Sequence, residues 1–127
     1  MTDPMPAFDS PYDEAEFLNR LEGDRELSDE ITHLFLDTCP KSLAELQSAL
    51  GEGNLYMLGR LAHGVKGSVG VFAAEACFAA ALALELAGRQ GNLGAAQEAW
   101  ARLKGEMQRL TAALDERLAG AARCESL

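Results

Sequence analysis

Three similar dipeptides divide the chain into segments: Gly23-Asp24, Gly53-Asn54 and Gly91-Asn92. A glycine readily ends a helix in the left-handed conformation, and an Asp or Asn side chain then caps the first turn of the next helix. Each dipeptide therefore predicts a tight join between two helices. Between the joins, apolar residues recur at the three- and four-residue spacing of amphipathic helices, and no segment has the alternation of a strand.

This spacing predicts one short helix and four longer ones, over 13–21, 24–50, 54–72, 74–87 and 93–118. Pro40 is expected to kink the second helix, because it removes the backbone hydrogen bond to Leu36. Short joins make neighbouring helices antiparallel. The predicted fold class is therefore all-α: an up-down-up-down four-helix bundle with a short extra N-terminal helix.

The domain boundaries follow from the ends of this pattern. Residues 1–11 contain three prolines and are interpreted as a flexible leader or linker. Residues 12–120 form the helical domain, and residues 121–127 are assigned to a C-terminal tail. The third helix is expected to break near 70–73.

Composition excludes several classes of function. The formal charge is −9, which argues against nucleic acid and anionic membranes as partners. The longest apolar run, 76–84, is far too short to span a bilayer. Cys39 and Cys77 lie in apolar stretches and are interpreted as core residues, and three unpaired cysteines fit a reducing cytoplasm. No His/Cys cluster has metal-ligand spacing.

The third predicted helix carries an outward histidine. Its core-facing stripe consists of Leu58, Leu61, Ala62, Val65, Val69 and Phe72. At 3.6 residues per turn, His63 points about 140° from the centre of that stripe. Gly59 and Gly67 lie one turn away on either side, Gly70 follows, and Lys66 places an ammonium nearby.

Glycines inside a helix are costly, at about 1 kcal/mol each relative to alanine. Gly59, Gly67 and Gly70 are therefore interpreted as a strip that keeps the approach to His63 open for a large partner. The alternative is that these glycines permit close packing between helices, or that the helix breaks there.

The residues around His63 fit a nucleophilic imidazole better than a phosphate loop or a metal site. Lys66-Gly67-Ser68 has the wrong order for a phosphate loop and follows no strand, and the lysine would repel a bound cation. A neutral imidazole can attack an activated phosphoryl group without a separate base. Lys66 could then stabilise the anionic product. Since the sequence has no ATP site, the phosphoryl group must come from another protein.

The chain resembles the histidine-containing phosphotransfer domains of multistep two-component signalling, over about residues 8–118. The central stretch, Ala62-His63-Gly64-Val65-Lys66-Gly67-Ser68, is similar to the family pattern Ala-His-x-Leu-Lys-Gly-Ser. Further likeness lies in Gly23-Asp24-x-x-Leu27, in 35–40, and in Leu84-Glu85 with Gly88-Arg89. Val65 replaces the usual leucine, and Ala73 replaces a common glycine after Phe72. The likeness is nearest to domains at the C-termini of hybrid sensor kinases.

The resemblance implies that His63 is the phosphoacceptor, that Lys66 stabilises the phosphoryl group and that Gly67 keeps its approach open. The implied partners are receiver domains of response regulators, whose aspartate exchanges phosphate with His63. Magnesium is expected on the receiver, and no cofactor is expected on this chain. The protein would be a cytoplasmic phosphotransfer intermediate rather than an enzyme. A monomer is expected, either alone or linked to a hybrid kinase.

Other residues are given structural interpretations. His33 is expected to be structural or on the surface, Trp100 to be in the core, and Glu85 to be a solvated carboxylate. The apolar seam of the fifth helix is interpreted as bundle core rather than a dimer zipper. Two rival functions stay open: a helical interaction module that carries no phosphate, which would explain the apolar fourth helix, and an enzyme with His63 as general base.

Overall fold

The computed structural model describes the backbone of residues 10–125 and the side chains of residues 10–120. Five helices follow one another: α1 (Glu14–Arg20), α2 (Arg25–Gly51), α3 (Leu55–Gly70), α4 (Glu75–Gln90) and α5 (Leu93–Glu125). Within these described residues there is no strand. The prediction of an all-helical chain with a short first helix is confirmed.

The three predicted joins have the geometry that their residues favour. Their glycines all have positive φ, between 67° and 77°, the left-handed conformation that a glycine adopts without steric cost. Asp24, Asn54 and Asn92 each accept a hydrogen bond from the backbone N–H three residues further on, at 3.0–3.1 Å. Local capping chemistry therefore sets where α2, α3 and α5 begin.

A fourth join separates α3 from α4 at residues 71–74, where the sequence predicts a break. Ala73 has a φ of 55° there, without being a glycine. Residues at the two ends of α1 donate hydrogen bonds to this join. Asp13 N–H donates to the carbonyl of Ala73 at 3.2 Å, and Arg20 donates to the carbonyl of Gly70 at 2.7 Å. The end of α3 is thus fixed by residues far away in the sequence.

The four long helices enclose one core. Helix α3 packs against α4, α4 against α5, and α2 against both α3 and α5. The predicted apolar seam of α5 is buried except at its first residue, Leu93, which is exposed; the buried members are Ala96, Trp100, Leu103, Met107, Leu110 and Leu114. Cys39 and Cys77 are buried free thiols, and burial raises the pKa of Cys77 to about 12. Such a thiol behaves as a small apolar residue.

Several helix ends differ from the prediction. Helix α4 continues to Gln90 rather than ending near Ala87, because Gly91 supplies its left-handed cap. The backbone of α5 is helical to Glu125, past the predicted end near Leu118. Helix α2 is helical on both sides of Pro40, and the kink expected at this proline stays a prediction. Residues 1–9 of the predicted leader and 126–127 of the predicted tail lie outside the described range, so the domain division stays a prediction.

No helix in the described part of the chain is both long enough and apolar enough to cross a bilayer.

Candidate functional site

His63 projects from the middle of α3 into solvent. Its side chain is 62% exposed, whereas Leu58, Ala62 and Val65 on the opposite side of the same helix are buried. The outward orientation that helical periodicity predicts is confirmed. The imidazole is therefore open to another macromolecule.

A carboxylate from the neighbouring helix lies beneath the imidazole. The Glu85 side chain of α4 is only 2% exposed, and its Oε2 lies 2.9 Å from His63 Nδ1. Its Oε1 lies 2.8 Å from Lys66 Nζ, and Oε2 also lies 2.6 Å from Arg89 Nη2. The interpretation of Glu85 as a solvated carboxylate is wrong, because the side chain is enclosed where α4 packs against α3.

These contacts keep Glu85 ionised. The pKa of its carboxyl lies below the ordinary value, chiefly because of Lys66, with His63 and Arg89 adding to the effect and burial opposing it. An ionised carboxylate can only accept hydrogen bonds. His63 Nδ1 must therefore carry the proton and donate it to Oε2, which leaves the lone pair on Nε2. Nε2 is therefore the ring nitrogen with an unshared electron pair.

Lys66 lies within the same cluster. Its side chain is 21% exposed, and its ammonium lies 5.9 Å from the centroid of the Phe78 ring. The structure therefore places Lys66 beside His63, as the sequence predicts, but with Glu85 as its immediate partner. Its positive charge offsets the cost of burying the Glu85 carboxylate.

The glycines around His63 divide into two kinds. A methyl group at Gly67 would meet no atom within 4 Å, so this position is open. At Gly70 it would lie 3.5 Å from the ring of Phe78, and at Gly59 3.4 Å from the carbonyl oxygen of Glu85. Gly59 is buried and does not belong to an exposed strip. The alternative interpretation, close helix packing, applies there, because α4 crosses α3 at this point.

A shallow groove borders His63 on the side away from Gly67. Its lining includes Tyr56, Arg60, Gly88 and Arg89. Tyr56 is highly exposed, and Arg60 donates a hydrogen bond of 3.3 Å to its hydroxyl. Two arginines, Arg60 and Arg89, therefore line the groove beside the imidazole, although the chain as a whole is acidic. Such a local cationic surface favours an anionic group on a partner.

The other histidine has no comparable setting. His33 lies exposed on α2, in agreement with its interpretation as a structural or surface residue. Among the side chains that the structure describes, no group of three or more His, Cys, Asp or Glu could hold a metal ion.

The fold and the site together are those of a helical bundle that presents an exposed imidazole above a buried carboxylate. The family model of the Hpt domain matches residues 30–113. The match covers about two thirds of the chain and contains the whole cluster around Glu85. The protein therefore belongs to the Hpt domain family. It is thus a histidine phosphotransfer module of the kind that serves phosphorelays. No curated protein and no solved structure gives a significant match.

Proposed function

We propose that His63 accepts a phosphoryl group from the aspartate of a receiver domain and passes it to a second receiver or back to the first. The observation that carries this proposal is the exposed imidazole whose Nδ1 contacts Glu85 at 2.9 Å. That contact leaves Nε2 as the nitrogen that faces solvent with a free electron pair. Because the sequence has no ATP-binding motif, the phosphoryl group must come from another protein, and exchange with receiver domains meets this requirement.

The transfer itself balances without a further reagent. The Nε2 lone pair attacks the phosphorus of the aspartyl phosphate and forms an N–P bond, while the acyl phosphate P–O bond breaks. Its electron pair leaves with the aspartate as a carboxylate. The Nδ1 proton stays on the ring, which becomes positively charged, and the Glu85 carboxylate stabilises that charge through the existing hydrogen bond.

Lys66 and Gly67 have separate roles in this proposal. The ammonium of Lys66, 2.8 Å from Glu85, supplies positive charge near the phosphoryl oxygens. Gly67 leaves room for the surface of the receiver, since a side chain there would project into open space. The Mg²⁺ that assists the reaction would belong to the receiver.

We further propose that the protein works as a cytoplasmic monomer with the up-down-up-down four-helix arrangement, alone or linked to a hybrid sensor kinase. Burial of Leu103 and Leu110 within the bundle supports the monomer, because the α5 seam is already occupied. Sedimentation should then give a single species near 13.6 kDa. A dimer that forms with increasing concentration would contradict this part.

The alternative, an interaction module without phosphotransfer, depended on the apolar character of the fourth helix. In the bundle, α4 uses most of its apolar surface internally, since Ala80, Ala81 and Leu84 are fully buried. Phe78 and Leu86 are its exposed large apolar residues. Core packing therefore accounts for most of the pattern, and a separate docking function is not needed to explain it.

The deciding experiment offers labelled phosphorylated receiver domains to three proteins: the wild type, His63→Gln and His33→Gln. The wild type and His33→Gln should gain an acid-labile phosphoryl group, whereas His63→Gln should gain none and melt at nearly the wild-type temperature. Undiminished labelling of His63→Gln would overturn the assignment. Loss of labelling in His33→Gln would move the site to α2.

A further inference from the structure

One oxygen of Glu85 serves two cationic or proton-donating groups. Oε2 lies 2.6 Å from Arg89 Nη2 and 2.9 Å from His63 Nδ1. Lys66 contacts the other oxygen, Oε1. The carboxylate charge is therefore shared, and the shorter of the two contacts at Oε2 goes to the arginine.

This sharing matters at the moment of transfer. In the proposed reaction the imidazole ring gains positive charge, and the Glu85 carboxylate stabilises that charge. A guanidinium held on the same oxygen repels the charged ring and draws electron density away from the hydrogen bond of Nδ1. As long as Arg89 stays on Oε2, phosphorylation of His63 is less favourable than the carboxylate alone would make it.

Arg89 is also placed where a donor must arrive. Its side chain is 64% exposed, and it lines the groove beside His63 together with Arg60. A phosphoryl donor brings negative charge to this groove. An anionic group that pairs with Arg89 would draw the guanidinium off Oε2 and leave that oxygen to Nδ1.

We propose that Arg89 is a positioning residue that restrains His63 until an anionic partner surface engages its guanidinium. The inference rests on the proposed function of His63 and adds a condition to it: the restraint is relieved by the docked receiver and not by a small donor. Arg89 does not touch the reacting atoms in this scheme. It acts on them through Glu85.

The test compares two phosphodonors on Arg89→Gln. Phosphoramidate is too small to hold a guanidinium away from Glu85 while it reacts, so its rate reports the restraint directly. With phosphoramidate, Arg89→Gln should be phosphorylated about two- to fivefold faster than the wild type, the range expected for an exposed ion pair. With a phosphorylated receiver domain that transfers to the wild type, the maximal rate should show no gain. The receiver concentration for half-maximal rate should rise.

Arg60→Gln is the matched control. Arg60 lines the same groove but bonds to the hydroxyl of Tyr56 rather than to Glu85. Its replacement removes the same charge from the surface, so receiver affinity should fall, and the phosphoramidate reaction should show no acceleration. Thermal melting of both variants, which alter exposed side chains, checks that the fold is intact.

Three results would contradict the proposed role of Arg89. An unchanged or slower phosphoramidate reaction in Arg89→Gln overturns the restraint, and so does an equal acceleration in Arg60→Gln. An equal gain with the receiver overturns relief by the partner. These failures differ from failure of the proposed function, in which His63→Gln would still accept phosphate from both donors.

Discussion

Gly59 of α3 and Gly88 of α4 meet backbone to backbone where the two helices cross. A methyl group built on Gly88 would lie 2.8 Å from the Cα of Gly59, and equally close to the carbonyl oxygen of Leu55. The close approach of these glycines brings α4 near enough to α3 for Glu85 to reach beneath His63. The packing of two glycines therefore sets the geometry of the site.

The first prediction tests this crossing. Gly88→Ala should lower the free energy of unfolding by about 1–3 kcal/mol, because the added methyl group meets backbone that cannot move aside by rotating a side chain. It should also slow phosphorylation of His63, since α4 must shift away from α3. Urea unfolding and the phosphoramidate rate measure the two effects. A variant as stable as the wild type would contradict the close packing.

Gly67 gives the opposite expectation on the same helix. Gly67→Ala should raise the free energy of unfolding by up to about 1 kcal/mol, because the position is helical and open and alanine is the better helix former. Gly67→Gln should keep or raise thermal stability while it slows transfer from a phosphorylated receiver. Phosphoramidate, which needs less room, should be affected less. Transfer from the receiver at the wild-type rate would show that access does not depend on this glycine.

Glu85→Gln should leave His63 exposed but slow its phosphorylation about tenfold. The amide can still accept a hydrogen bond from Nδ1, but it no longer offers the negative charge that makes such a bond stronger by about 1–2 kcal/mol. It also no longer fixes the proton on Nδ1, because an amide can donate as well as accept. The tautomer can be followed by ¹⁵N NMR of the imidazole. An unchanged rate would leave Glu85 with a purely structural role.

The stability of the protein should depend on pH through the same carboxyl. Its pKa in the folded protein lies below the ordinary value of 4.5, chiefly because of Lys66, so folding favours the ionised form. The resulting stabilisation is present above pH 4.5 and is lost as the pH falls through the folded-state pKa. The difference in unfolding free energy between wild type and Glu85→Gln should shrink over that acidic range. A difference that grows there would reverse the sign of the argument.

Ala73→Gly should stabilise the join between α3 and α4. Ala73 has a φ of 55°, where a side chain costs about 1–2 kcal/mol and glycine costs nothing. The greater freedom of glycine in the unfolded chain removes part of this gain, which leaves about 0.5–1 kcal/mol. Ala79→Gly, at an exposed position inside α4, is the matched control and should destabilise by about 1 kcal/mol. Equal effects of the two substitutions would contradict the assignment of strain to Ala73.

Features that depend on neighbours in the sequence were predictable from the sequence. The joins at Gly23, Gly53 and Gly91 follow from the backbone freedom of glycine and the short side chain that comes after it, both of which act within a few residues. The outward direction of His63 follows from helical periodicity alone, as does the internal seam of α5. The family pattern around His63 lies within a single helix, so it too could be recognised without a structure.

The tertiary structure decided which surfaces of these helices meet. Gly59 and Gly67 occupy equivalent places one turn from His63, and only the crossing of α4 makes one buried and the other open. Glu85 lies in a helix that is apolar on nearly all sides, so periodicity could not show which way its carboxylate points. Its burial beside His63 depends on packing between segments 22 residues apart. Such contacts arise from the shapes and volumes of whole helices, which no local pattern in the sequence encodes.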